Sequence, residues 1–135
     1  MLSLVLPPQT RGPLKLLCLG AHADDIEIGC GGTVLRLTAE VPELVVRWIV
    51  FSGVGLRGEE ARSSAAAFLE NVSEKKIEVL DFRDGYFPFQ GTDIKDCFEA
   101  VKRDFDPSIV LTHWQGDAHQ DHRLVAELTH NTFRN

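Results

Sequence analysis

The sequence predicts an α/β fold of Rossmann-like type, in which helices cover both faces of an open, mostly parallel sheet and make three layers. Apolar runs rich in β-branched residues alternate with amphipathic runs in the order βαβαβαβα. The apolar runs are nearly continuous, which is typical of strands that are buried on both faces of a parallel sheet. We interpret residues 1–135 as one domain that includes an N-terminal extension over residues 1–13.

The first half of the chain is predicted to hold two strands and two helices. Lys15–Leu19 is a short apolar run that we expect Gly20 to end, and the helix Ile26–Glu40 follows two carboxylates that suit a helix start. Leu44–Phe51 is β-branched and aromatic and predicts the second strand. Glu59–Leu69 is rich in Ala and predicts the second helix.

The second half repeats this alternation. Lys76–Leu80 predicts a third, shorter strand, and Asp93–Phe105 has apolar residues at helical intervals and ends before an Asp-Pro pair. Ser108–Thr112 predicts the fourth strand, and His122–Phe133 predicts a closing helix. Because no Gly or Pro ends this helix before Asn135, we expect the domain to be truncated at its C-terminus, with some strands missing.

Composition and charge exclude several classes of partner. The chain has 14 Lys and Arg against 20 Asp and Glu, a net charge of −6, and no basic run, which disfavours nucleic acid and anionic membranes. Its longest apolar stretch, Leu44–Phe51, is too short for a membrane span. The three cysteines, Cys18, Cys30 and Cys97, are widely spaced and suit reduced thiols. We therefore expect a cytoplasmic protein.

Histidine and aspartate residues follow the first and fourth strands, which are usually neighbours in such a sheet. His22 and Asp25 are three residues apart after the first strand, and His119 and His122 have the same spacing after the fourth. Three such ligands, with a fourth position left to water, make a catalytic zinc site. The competing interpretation is that the histidines are helix-end residues and the carboxylates cap a helix. The residues expected at this edge are His22, Asp24, Asp25, His113, Asp117, His119, Asp121 and His122.

Two motifs in these segments resemble those of a known family. AHADDIEIGCGGT, residues 21–33, and HQDH, residues 119–122, are similar to motifs of the LmbE-like or PIG-L deacetylases. Weaker similarities are Arg57 with Glu60 at a helix start and the Asp84-Gly85 turn, and one departure is Ala23, where the family usually has Pro. The resemblance implies a zinc-dependent hydrolase that removes acetyl groups from N-acetylated sugars, such as N-acetylglucosamine derivatives, and from related amides.

The resemblance also implies a role for each matching residue. Asp24 would be the general base, His119 would stabilise the oxyanion, and Asp121 would orient His119 by a hydrogen bond. From their positions in the loops after the second and third strands, Arg57 and Asp84 are candidates for contact with substrate, and the alternatives are an exposed Arg at a helix start and a turn with Gly85. The metal ligands implied by the family pattern are His22, Asp25 and His122.

Other functions are compatible with parts of the sequence. A nucleotide-binding module would need G-x-G-x-x-G after the first strand, but the glycine run of residues 29–34 has Val34 at the last position. Cys30 near a helix start is a possible thiol nucleophile, although no G-x-S-x-G motif is present. The chain could also bind metal or sugar without turnover. The acyl substrate, the choice between zinc and a metal such as Fe²⁺, and the formation of a homo-oligomer are left open.

Overall fold

A computed structural model describes residues 12–134. Most of the predicted N-terminal extension, residues 1–13, and the last residue lie outside the described residues. A short 3₁₀ helix, Phe87–Gln90, stands between the third strand and the third helix. The regular elements are β1 Lys15–His22, α1 Asp25–Glu40, β2 Val45–Ser52, α2 Leu56–Phe68, β3 Glu74–Val79, α3 Gly91–Asp104, β4 Ile109–Leu111 and α4 Gln120–Thr132.

The four strands form one parallel sheet in the order β3-β2-β1-β4. β1 is one of the two inner strands, since it pairs with β2 on one side and with β4 on the other. The predicted α/β fold with a parallel sheet is therefore confirmed. Because β1 and β4 are neighbours, the segments that follow them in the chain begin side by side at one edge of the sheet.

Helices cover both faces of this sheet, as the sequence predicts. On one face, α1 and α2 bury apolar residues against strand residues such as Cys18 and Trp48. On the other face, α3 and α4 pack with the 3₁₀ helix against residues such as Leu17 and Phe51. Between residues 12 and 134, no helix has both the length and the apolar character that a membrane crossing requires.

The predicted end of β1 differs from the observed one. Gly20 does not end the strand, which continues to His22 and pairs there with Ser52 of β2. A Cβ atom at Gly20 would lie 3.0 Å from Cγ1 of Ile26, so this glycine lets α1 pack closely on the strand. His22 therefore belongs to the sheet, and its backbone is held by the strand.

Gly58 makes another close contact, between α2 and the segment after β2. A Cβ atom at Gly58 would lie 2.3 Å from the carbonyl oxygen of Gly53, which is backbone and cannot move aside cheaply. Replacing Gly58 by Ala is therefore expected to lower the free energy of unfolding by about 1–3 kcal/mol through overpacking. Chemical denaturation at fixed pH measures this change.

Gly32 in α1 provides the control for this prediction. Apart from its chain neighbours and the nearby backbone of α1 itself, no heavy atom of residues 12–134 lies within 4 Å of the position that its Cβ would take. Gly32→Ala is thus expected to raise the free energy of unfolding by about 0.5–1 kcal/mol, because Ala is the better helix former. A Gly58→Ala variant as stable as Gly32→Ala would contradict the proposed close contact.

Candidate metal centre and active site

The turn between β1 and α1 separates two neighbouring aspartates. Asp24 has φ 80° and ψ −16°, a left-handed conformation that Asp tolerates better than most residues. Asp25 folds back toward the strand, and its Oδ2 atom accepts a hydrogen bond of 2.7 Å from the backbone N–H of His22. The side chain of Asp24 remains 59% exposed and makes no helix-capping hydrogen bond with the described residues. The turn thus directs the carboxylate of Asp25 toward His22 and leaves that of Asp24 exposed to solvent.

The segment between β4 and α4 brings the remaining histidines to the same edge. Nε2 of His113 accepts a hydrogen bond of 2.9 Å from the backbone N–H of Ala21, which ties this segment to β1. His119 is the N-cap of α4, where its Nδ1 accepts a hydrogen bond from the backbone N–H of Asp121. His122 lies in the first turn of α4, and its ring stacks on that of His113 with centroids 4.0 Å apart. The predicted convergence of these histidines is therefore observed.

Three side chains at this edge form a compact triangle of possible metal ligands. Nδ1 of His22 lies 3.2 Å from Nε2 of His122 and 3.6 Å from Oδ2 of Asp25, and the third side, from Nε2 of His122 to Oδ2 of Asp25, is 3.5 Å. Tetrahedral ligands at about 2.0–2.2 Å from a zinc ion are about 3.3–3.6 Å from one another. The donor types and their spacing fit a zinc ion. All three side chains are also partly exposed, so water can reach them.

The pKa values of His22 and Asp25 depend strongly on each other. Burial lowers the pKa of His22, but the contacts of its ring with the carboxylates of Asp25 and Asp121 outweigh it and raise that pKa to about 8. Burial raises the pKa of Asp25, but the nearby His113 ring and the contacts with His22, which include the hydrogen bond from its backbone N–H, outweigh it and bring that pKa well below its usual range. At neutral pH a proton on His22 therefore balances the carboxylate of Asp25. Metal binding at this place would release that proton.

The outer nitrogens of the two candidate ligand histidines face further carboxylates. Nε2 of His22 lies 3.0 Å from Oδ2 of Asp121 and 3.1 Å from Oδ1 of Asp84. Nδ1 of His122 is buried and forms no hydrogen bond within residues 12–134, although Oδ2 of Asp117 is 3.2 Å away. Carboxylates in this position orient metal-binding histidines and make them better ligands.

Asp121 differs from the sequence-based hypothesis, which has its side chain orient His119. Its fully buried carboxylate contacts His22 and accepts hydrogen bonds from the backbone N–H groups of Gly85 and Phe87. Asp121 contacts His119 through its own backbone N–H instead. The physical reason is their placement, since Asp121 points inward from the first turn of α4 while His119 is the exposed N-cap.

The two candidate substrate contacts lie in one cleft beside His22. This cleft of about 310 Å³ is lined by Arg57 and Asp84 together with Ser52. Arg57 and Asp84 are well exposed, and Nη2 of Arg57 is 4.0 Å from Oδ2 of Asp24. The polar and charged side chains of the cleft therefore lie next to the proposed metal position.

Backbone groups contribute to this region in a way that sequence reasoning missed. The N–H groups of Gly85 and Phe87 hold Asp121, and every residue except proline carries such a group. The only sequence signals nearby are the Asp-Gly turn and the aromatic run of residues 86–89, which by itself indicates loop packing. Phe87 does pack in the core, but the run also begins the 3₁₀ helix.

The structure weakens the thiol alternative. Burial and the neighbouring carboxylate of Glu27 raise the pKa of the Cys30 thiol. A cysteine nucleophile needs the opposite shift, because the thiolate is the reactive form.

Fold and site together define a class of protein. A parallel α/β sheet carries, after β1 and β4, a His/Asp/His triangle that could hold a metal ion and a further carboxylate beside it. The model of the PIG-L family, GlcNAc-PI de-N-acetylase, matches residues 17–133, and the chain belongs to this family. The resemblance noted in the sequence is thereby confirmed.

The chain is similar to two curated deacetylases and to solved structures. It is 31% identical over 125 residues to the diacetylchitobiose deacetylase of Thermococcus kodakarensis, covering 81% of this chain and 45% of that protein. It is 30% identical over 122 residues to the uncharacterized deacetylase YaiS of Escherichia coli, covering 82% of this chain and 63% of that protein. The chain thus spans about half to two thirds of the length of these relatives.

Two solved structures share the fold. The conserved protein TT1542 from Thermus thermophilus superimposes with a TM-score of 0.65 at 27% identity, covering 86% of this chain and 53% of that one. The N,N'-diacetylchitobiose deacetylase from Pyrococcus horikoshii, solved with its inhibitor MPG, gives a TM-score of 0.62 at 25% identity, covering 89% and 49%.

Proposed function

We propose that this chain carries the metal-binding and catalytic part of a zinc-dependent N-deacetylase, which hydrolyses the acetamide of an N-acetylated sugar or related amide. The observation that carries the proposal is the triangle of His22, Asp25 and His122, whose sides of 3.2–3.6 Å match the ligand spacing of tetrahedral zinc. Membership of the PIG-L family and similarity to a diacetylchitobiose deacetylase support the substrate class.

The reaction adds water to the amide carbonyl and breaks the C–N bond, which leaves acetate and a free amine. Zinc held by the triangle would polarise the carbonyl and lower the pKa of bound water to about 7. Asp24 would accept the proton of the attacking water on its carboxylate and pass it to the leaving amine. His119, exposed at the start of α4, would donate a hydrogen bond to the carbonyl oxygen as negative charge develops.

The cleft beside His22 would hold the sugar. Its volume of about 310 Å³ is at the lower end of the range for small-molecule sites. Asp84 would accept hydrogen bonds from sugar hydroxyls, and Arg57 would donate to hydroxyl or anionic groups. Because Arg57 is 4.0 Å from Asp24, a substrate in contact with Arg57 would lie beside the proposed general base.

Zinc is the proposed metal because two imidazoles and one carboxylate are its usual catalytic ligands. The same donors also accept Fe²⁺, so the choice depends on the metal supplied. Metal analysis of the purified protein, followed by activity with each metal in turn, distinguishes the two ions.

Release of a free amine tests the proposed function. We expect protein stripped of metal and reloaded with zinc to release amine and acetate in equal amounts from N-acetylglucosamine or diacetylchitobiose. Stripped protein is the control and should release neither. Zinc binding at one ion per chain without amine release from any N-acetylated sugar would contradict the proposed activity and favour a module that binds without turnover.

A further inference from the structure

One nitrogen of His22 contacts two carboxylates that differ in their surroundings. Nε2 lies 3.0 Å from Oδ2 of Asp121 and 3.1 Å from Oδ1 of Asp84. The Asp121 side chain is fully buried, whereas that of Asp84 is 63% exposed. An exposed partner is solvated and mobile and contributes little to orientation, whereas a buried and hydrogen-bonded partner holds one geometry.

The backbone of a neighbouring loop holds Asp121 in place. Oδ1 accepts a hydrogen bond of 3.1 Å from the N–H of Phe87, and Oδ2 accepts one of 2.7 Å from the N–H of Gly85. Asp121 also lies in the first turn of α4, where the helix dipole favours negative charge. Both oxygens of Asp121 therefore already accept hydrogen bonds from the backbone. This carboxylate is suited to accept a further hydrogen bond from His22 rather than to bind a cation.

This contact determines which nitrogen of the His22 ring is free to bind a metal ion. A neutral imidazole carries one N–H group, and donation from Nε2 to Asp121 leaves the lone pair on Nδ1. Nδ1 is the atom that faces His122 and Asp25. A second group of possible ligands, His22, Asp84, His119 and Asp121, would need Nε2 of the same ring instead.

We propose that Asp121 is a positioning residue, which holds His22 with Nδ1 toward the metal and thereby selects the His22, Asp25 and His122 triangle over the second group. The inference rests on the proposed metal-dependent function. The family pattern has Asp121 orient His119, whereas this inference has Asp121 orient His22. It also connects the metal ligand to the substrate side, because the same carboxylate anchors the loop that carries Asp84.

The matched variants Asp121→Asn and Asp84→Asn test this role. Each removes one carboxylate from the same nitrogen and keeps the side-chain shape. Zinc affinity, measured by competition with a chelator, is expected to fall about 10–100-fold in Asp121→Asn. It is expected to fall less than about fivefold in Asp84→Asn. Wild-type zinc affinity in Asp121→Asn, or an equal loss in both variants, would overturn the proposal.

A second measurement needs no substitution and covers the case in which Asp121→Asn does not fold. In ¹⁵N-histidine NMR of the metal-free wild type at pH 9, above the His22 pKa of about 8, we expect the His22 proton on Nε2. After zinc is added, Nδ1 should show the shift of a metal-bound nitrogen. A proton on Nδ1, or zinc on Nε2, would overturn the inference.

The two measurements separate this inference from the proposed function. If the wild type binds no zinc, the metal-dependent function fails, and the position of the His22 proton still decides whether Asp121 acts on Nε2. If zinc binds and amine is released while Asp121→Asn keeps full affinity, only the inference fails.

Discussion

Asn in place of Asp24 is expected to lower the rate of deacetylation by on the order of 10²–10⁴ while zinc still binds at one ion per chain. Asn preserves the shape of the side chain and removes its basicity, so the proton of the attacking water has no acceptor at this position. Asp24 is suited to this role because its carboxylate is 59% exposed beside the cleft and belongs to neither group of possible ligands. The measurements are kcat for amine release and the zinc content of each protein.

The alternative role of Asp24 is to cap α1, and the structure makes a different prediction for each role. Loss of a cap costs on the order of 1 kcal/mol of stability and leaves catalysis intact. The side chain of Asp24 makes no capping hydrogen bond with any residue in the described part of the chain, and Asn also tolerates its left-handed backbone. We therefore expect the Asn variant to unfold at the wild-type denaturant concentration.

Glu59→Gln is the control for Asp24→Asn, because it removes an exposed carboxylate from the first turn of α2. This variant should keep the wild-type rate. If Asp24→Asn retained its rate but unfolded more easily, Asp24 would be a structural cap, and the mechanism would need another base.

Asp25→Ala is expected to abolish stoichiometric zinc binding and, with it, the release of amine. Zinc-binding free energies of about 10–16 kcal/mol in small zinc domains, divided among three or four ligands, give about 3–5 kcal/mol for one ligand. At about 1.4 kcal/mol for each factor of ten, the zinc affinity should fall by on the order of 10²–10³ or more. Chelator competition followed by metal analysis after gel filtration measures the loss.

Asp106→Ala provides a matched control for Asp25→Ala. Asp106 is exposed in the loop before β4 and belongs to neither group of possible ligands. Its variant should bind zinc as the wild type does. Stoichiometric zinc in Asp25→Ala would remove this residue from the ligand set and leave the second group around His119 and Asp84 as the candidate site.

Much of the fold follows from local patterns in the sequence. Apolar runs such as Val45–Ser52 are recognisable because a strand that is buried on both faces has few polar residues. The neighbouring positions of β1 and β4 follow from the usual order of strands in such sheets, which is why His22 and His122 are expected to meet. Element ends are predicted less well, since Gly20 lies within β1 and α2 begins at Leu56.

The difference between sequence and structure is clearest at Asp121. The family resemblance gives its side chain a partner within the same short motif, His119. The observed partners of its side chain are distant in sequence, since His22 ends β1 and Gly85 follows β3. Such contacts depend on how α4 packs against the sheet, and residue spacing within a motif carries no information about this.

The sequence by itself determined the class of fold, the edge of the sheet at which the chemistry is concentrated and the residue types available there. Hydrophobic periodicity and parallel connectivity act along the chain, so they can be read from it. Only the tertiary structure decided that Nδ1 rather than Nε2 of His22 faces Asp25 and His122. It also decided that the carboxylate of Asp121 is buried against Gly85 and Phe87. The reason is that side-chain orientation at a buried site is set by hydrogen bonds between distant segments, each of which must satisfy its own buried polar groups.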